Sequence, residues 1–295
     1  MKIIDAHHHL WDLAACSYPW LQSGDTDGGF VGDISALQTT YGVSDYRKDF
    51  GALDVIKSVH VQAEHDAADP VAETRWLQAQ AGAHGFPHAI IAYADFSRSD
   101  VADTLAQHAE YANLRGIRQI LSHHPDPAYS HADREYLKDE DWGQRITLLK
   151  QHNLNFDLQI YPHQVADALP VIDSNPDTLF IVNHTLEPWN DSNEVRLIWQ
   201  QGVKALAKRA NTAMKISGFA MFLRPFSEAT IRPYVLDLIE AFGTERCMFA
   251  SNFPVDKLHC TYDEIFAAFD AITKEFSETE RTAIFAGNAA RLYRI

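Results

Sequence analysis

What most limits the fold of this chain is an alternation in which short apolar runs of strand character are separated by amphipathic helical stretches, with no Gly/Ser-rich linker anywhere between them. The strand-like runs are Ile3-Ile4 leading into residues 5–9, then 55–62, 89–94, 114–121, 154–160, 179–184, 214–217 and 247–250. Helical spacing occupies 70–82, 99–112 (with Ser99 as a cap), 141–152, 164–172, 194–209, 229–242, 262–276 and 277–292. Parallel strands require crossovers of this kind, and the crossovers are right-handed. There is no G-x-G-x-x-G after the first strand and no P-loop lysine motif, which weakens dinucleotide and ATP readings. The expected architecture is α/β: a single-domain (β/α)8 TIM barrel over residues 1–295, with an open doubly wound sheet of similar strand count as the alternative. A polar and aromatic stretch from Trp11 to about Tyr46 follows the first strand and has turns but little periodicity. A loop that long inside a compact enzyme more often covers a site than links domains.

The chain's 295 residues suit one such barrel, and 46% hydrophobic against 22% charged residues supply the core. A formal charge of −15 disfavours nucleic acid or an anionic membrane as the main partner, since both select a basic surface. It leaves room for an anionic or polyhydroxylated small-molecule substrate met by local arginines. Cys16, Cys247 and Cys260 are too few and too scattered for a disulfide framework or a cysteine zinc site. With no apolar run of membrane-spanning length and no secretory segment before the first strand, the cytoplasm is the expected location, and a homo-oligomer is left open.

In a parallel barrel, function collects where strands run out into the following loops. Asp5-Ala6-His7-His8-His9 closes the first strand, and strict alternation would put Asp5, His7 and His9 on one face with His8 on the other. Two imidazoles spaced so can close on one divalent ion, with a nearby acid orienting a ring. The other tips are also polar: His60-Val61-Gln62-Ala63-Glu64-His65, Arg115-Gly116-Ile117-Arg118, Tyr161-Pro162-His163, Asn183-His184 with Glu187 beyond, Lys215-Ile216-Ser217, and Ser251-Asn252-Phe253-Pro254-Val255-Asp256. Arg118, two residues after a glycine in an apolar strand, is expected to point inward and to need an anion, either a protein carboxylate or a substrate. Lys215 reads equally as a solvated strand-end charge or a substrate contact. The loop histidines at 65, 123, 124, 131 and 163 read as solvated side chains.

Taken together, Ile4-Asp5-Ala6-His7-His8-His9-Leu10-Trp11, Tyr18-Pro19-Trp20-Leu21, Arg115-Gly116-Ile117-Arg118, Asn183-His184 and Met248-Phe249-Ala250-Ser251-Asn252-Phe253-Pro254-Val255 resemble the amidohydrolase superfamily, in its lactonase-type amidohydrolase-2 branch. The resemblance spans essentially the whole chain. It implies a (β/α)8 barrel that hydrolyses a small lactone of a sugar acid or an aromatic breakdown product. It also implies that His7 and His9 bind metal or polarise the substrate carbonyl, that His184 joins them, and that Arg118 contacts a carboxylate or hydroxyl. One departure stands out. The family's eighth strand usually ends in Ser-Asp, whose aspartate binds metal and takes the proton from water, whereas this chain has Asn252. An amide oxygen coordinates weakly and is no base at neutral pH.

The catalytic candidates are therefore His7, His9, His184, Asn252 and Asp256, with Asp256, Glu187 or His184 deprotonating water. Arg118, Gln62, Tyr161 and Trp20 are the candidate substrate contacts. Two histidines and a neutral amide alone make a poor zinc site; adding His184 or Glu64 to His7 and His9 would make a reasonable one, with His7, His9 and His184 the expected set. Rival readings are a metal-dependent nonoxidative decarboxylase of the same superfamily, an isomerase of sugar acids, and a barrel that binds a small acid without turning it over.

Overall fold

The computed structural model describes residues 1–295. Eight strands, β1 (Ile3–His8), β2 (Val55–Val61), β3 (Ala89–Ala92), β4 (Leu114–Ile117), β5 (Asn155–Leu158), β6 (Phe180–Val182), β7 (Thr212–Ile216) and β8 (Cys247–Phe249), lie in sequence order in one parallel sheet. The sheet comes round on itself just above the strand ends. His8 bridges Phe253, the His9 N–H donates to Phe253 O at 2.7 Å, and the Asn252 N–H donates to His7 O at 2.8 Å. This is the expected (β/α)8 barrel. Its strands are buried on both faces, which is why they read as nearly continuous apolar runs.

The crossovers follow the sequence pattern closely, with helices at Ala72–His84, Val101–His108, Val165–Ser174, Asn193–Ala207, Glu228–Phe242 and Tyr262–Ile272. Ser99 is not the cap of the second of these, because the helix starts two residues later and Asp100 occupies its N-cap position. Ser277 does cap the closing helical stretch, in a reciprocal box with Glu280. That stretch continues as a π-turn over Ala283–Gly287 and a helix over Asn288–Tyr293, and places Ala286, Ala289, Leu292 and Tyr293 against Ile4, Val59 and Ile181 of the barrel lining.

Strand β1 departs from strict alternation. Asp5 pairs with Ser58 and His8 with His60, so Ala6 and His7 together oppose Val59 alone, which is a β-bulge. The bulge turns Asp5 and His8 outward to the helix layer, where both meet Tyr46, and leaves His7 and His9 facing in. The expectation that Asp5 shares a face with His7 and His9 is corrected by that extra residue. The stretch after β1 folds as short turns at Pro19–Gln22, Gly29–Val31 and Ser35–Leu37, followed by a helix over Val43–Phe50. No helix is long and apolar enough to cross a membrane.

Candidate active site

A cavity of about 290 Å³ opens at the C-terminal ends of the strands. Its floor is polar, with His9, Arg118, Gln159, His184, Glu187 and Asn252 brought in from five different strand ends. Its roof is apolar. Val31, Ile34 and Leu37 from the stretch after β1 cover it, as that stretch's length suggested. Gly28 is required there, because a Cβ would lie 2.4 Å from Ile34 Cγ2. The cover is tied across the barrel: Arg224 donates to the carbonyls of Phe30 and Val31, and His259 Nε2 donates to Val31 O at 2.8 Å.

The β1 pair is set by its neighbours. His9 Nδ1 lies 2.7 Å from Val61 O and Nε2 lies 3.3 Å from Asn252 Oδ1. His7 sits deeper, its ring 5.0 Å from that of His9 and 4.3 Å from that of His184, and neither of its buried ring nitrogens has a partner. Burial holds His7, His9 and His184 well below the ordinary imidazole range, reinforced by Lys215 beneath His7 and by Arg118 beside all three.

His184 and Glu187 arrive on an unusual piece of backbone. Residues 184 to 187 all have positive φ (49°, 61°, 60° and 40°), a left-handed turn made without glycine. Such a turn persists only when its surroundings impose it. Here Trp199 Nε1 donates to Thr185 O at 2.6 Å and Thr185 Oγ1 donates to Ser217 O at 2.9 Å. The turn sets Glu187 against Ser122, whose hydroxyl donates to Oε2, and Gln159, whose Nε2 donates to Oε1 at 2.8 Å. Burial raises Glu187 to about 7, against the pull of those two donors and of Arg118.

Arg118 does point inward, yet its partners are neutral: Gln159 Oε1 at 2.8 Å and Gln62 O at 2.6 Å, with Nε buried and unpartnered. The cation thus keeps charge to offer a ligand. Trp20 lines the cavity and donates to Ala63 O. Two residues expected at the substrate are placed elsewhere. The Gln62 side chain turns back to Glu64 while its carbonyl serves Arg118, and Tyr161 is buried away from the cavity with its hydroxyl donating to Tyr129 O. Asp256 lies behind Asn252, accepting from its Nδ2 at 2.7 Å, and is not part of the cavity wall. Lys215 is neither solvated nor facing a substrate: it is fully buried in the barrel, ion-paired with Asp157, to which Tyr293 Oη and Asn183 Nδ2 also donate.

Gln159 and Ser122 escaped the sequence reading. A signal for the first was present, since Asn155, Asp157 and Gln159 put a polar residue at every second position of a buried strand. Ser122, in a loop of ordinary composition, gave none.

The expected three-histidine metal set is not assembled. No three His, Cys, Asp or Glu side chains are grouped so as to hold an ion; His184 lies beside His7 with Nδ1 3.2 Å from Ser217 Oγ, a contact that leaves its Nε2 open. At this corner the unpartnered His7 ring lies 5.0 Å from that of His9, whose Nε2 faces Asn252 Oδ1, and these are the groups a cation would meet. All three cysteines are free, as their scatter implied.

A family model described as "Amidohydrolase" matches residues 4–295. The uncharacterized protein y4mH of Sinorhizobium fredii is 43% identical over all of this chain and 99% of its own length. The L-fucono-1,5-lactonase of Burkholderia ambifaria is 24% identical, covering 99% of this chain and 95% of that one. Among solved structures, an amidohydrolase from Burkholderia multivorans with bound zinc superposes with a TM-score of 0.82 at 23% identity, each chain covered in full.

Proposed function

For a chain that belongs to the amidohydrolase family, we propose the hydrolysis of a small lactone, with water attacking the ester carbonyl. The observation that carries this reading is the pairing, in one cavity, of a buried carboxylate with a raised proton affinity and a cation whose protein partners are all neutral: Glu187 and Arg118, coupled through Gln159. The lactonase similarity at low identity supports it. Ester cleavage needs a base for the water and positive or proton-donating groups at the developing oxyanion.

In this reading Glu187 takes the proton from water as its oxygen bonds to the carbonyl carbon, and returns it to the ring oxygen when the C–O bond breaks. Arg118 fixes an anionic or polyhydroxylated substrate through its guanidinium, which lines the cavity. Asp256, also a candidate base, serves instead to hold Asn252. A divalent metal would be held by His7 and His9 with Asn252, and would supply Lewis acidity to the carbonyl oxygen. The apolar roof of Val31, Ile34 and Leu37 favours a substrate with one hydrophobic face.

The experiment is a panel of five- and six-membered lactones, neutral and carboxylated, followed by acid release with a pH indicator. Turnover of at least one, lost in Arg118→Met for the carboxylated members, supports the reading. A panel left intact by enzyme that still binds hydroxy acids would replace hydrolysis with binding alone.

A further inference from the structure

His9 and Asn252 meet in a way that neither can satisfy alone. A carbonyl only accepts, so the 2.7 Å contact with Val61 O places the His9 ring proton on Nδ1. The other ring nitrogen meets an amide and no carboxylate, and in the neutral ring it carries a bare lone pair. That lone pair faces Asn252 Oδ1, itself an acceptor, 3.3 Å away. The amide is oriented from behind: its Nδ2 donates to Asp256 Oδ1 at 2.7 Å and to Met221 Sδ at 3.4 Å. Beside them is His7, with both ring nitrogens buried and unpartnered. Buried acceptors that face one another with no donor between them are costly and need an explanation. A cation supplies what this corner lacks.

We propose that Asn252 and Asp256 act as one unit in holding a divalent cation, the amide oxygen as ligand with His7 and His9, and the carboxylate as the charge one hydrogen bond behind it. A ligand set of two imidazoles and an amide is neutral, so nothing in direct contact offsets the ion's charge. Asp256 offsets it at one remove. By accepting from Nδ2 it draws amide electron density toward Oδ1, which makes a weak donor a better one. Hydrogen-bonded carboxylates behind metal ligands are worth about 10- to 100-fold in metal affinity. The donor types suit zinc or manganese. Nothing in this depends on the lactone reading, so an inactive protein that binds zinc in this way would leave it standing.

The test measures zinc and manganese binding to chelator-treated full-length protein, by calorimetry and by metal content after dialysis. Wild type should take one ion. Asp256→Asn should weaken it about 10- to 100-fold, and Asn252→Asp should tighten it. For a check that does not rely on a variant folding, side-chain ¹⁵N spectra of the wild type should show the His7, His9 and Asn252 signals moving together as zinc is added. Three results would overturn the proposal. Wild type could take no ion at millimolar zinc. Asp256→Asn could bind as tightly as wild type. The metal-free spectra could show a His9 imidazolium, or an inverted Asn252 amide donating to His9 and accepting from a protonated Asp256, unmoved by metal.

Discussion

The carboxylate of Asp5 holds Ser251 twice: Oδ1 accepts from its backbone N–H at 2.9 Å and Oδ2 from its hydroxyl at 2.6 Å. Tyr46 and Tyr262 donate to the same Oδ2 at 2.8 and 3.0 Å, and the His7 N–H reaches Oδ1 at 3.3 Å. One buried acid therefore fastens the first strand to the residue that precedes Asn252. Asp5→Ala leaves five donors without that acceptor in a closed space and should destabilise the fold by about 3–5 kcal/mol, read from urea unfolding. Asp5→Asn, which keeps one carbonyl oxygen, should cost less. An Asp5→Ala midpoint equal to wild type would remove the seam from the account.

A second buried charge lies at the barrel's centre. Burial pulls Lys215 down to about 8, although Asp157 draws it the other way. Lys215→Met strands the Asp157 carboxylate and should cost about 3–5 kcal/mol, whereas Lys215→Met with Asp157→Leu should recover most of it. Denaturant midpoints of the two singles and the double decide the matter. A double variant as unstable as the singles would point to specific packing instead of charge.

With Glu187 as the proposed base and its carboxyl raised by burial to about 7, turnover should show an acidic limb there. The base must be ionised, so kcat/KM should rise about tenfold per pH unit below 7 and level off above it. Glu187→Gln keeps an acceptor for Ser122 and should lower kcat about 10²- to 10⁴-fold with little change in KM. The remaining activity should lose that limb. A pH profile unchanged in Glu187→Gln would return the role to His184 or Asp256.

Acid should unfold this protein early. Burial depresses His7, His8, His9 and His184 in the folded state, so between their folded values and the unfolded value near 6.5 only the unfolded chain takes up these protons. Their contribution is thus fully present above about pH 6.5 and falls below it by on the order of 1.4 kcal/mol per histidine per pH unit, partly offset by Glu187 and Asp256, which burial raises to about 7 so that the folded state takes up their protons first. Melting temperatures measured from pH 7.5 to 5 should drop steeply. His8→Asn, which keeps a polar group near Ser58, should flatten the drop without touching the cavity.

Much of this was legible in the chain. The apolar runs gave all eight strands because both faces of a barrel strand are dry, and residues at the strand tips named His9, Arg118, His184, Asn252 and Glu187 in the cavity wall. Period-two reasoning failed at Asp5, because a bulge adds a residue that no local pattern announces. It failed differently at Lys215, where a charge inside the sheet made sense only with Asp157 and Tyr293 beside it, partners 58 and 78 positions away along the chain (215 − 157 and 293 − 215). Tyr161 and Gln62 lie at strand ends as expected, yet side-chain direction there is settled by Tyr129 and Glu64, neighbours brought close by folding or by a positive-φ turn.

The seam between Asp5 and Ser251 spans 246 positions of sequence. A growing chain therefore carries its histidine strand, with the outer edge unpaired, until the segment 246 positions further on has been made. The groups that would act on a substrate come into being together, at the moment of ring closure, and a nascent chain that has not reached Phe253 carries every imidazole of the site yet no chemistry.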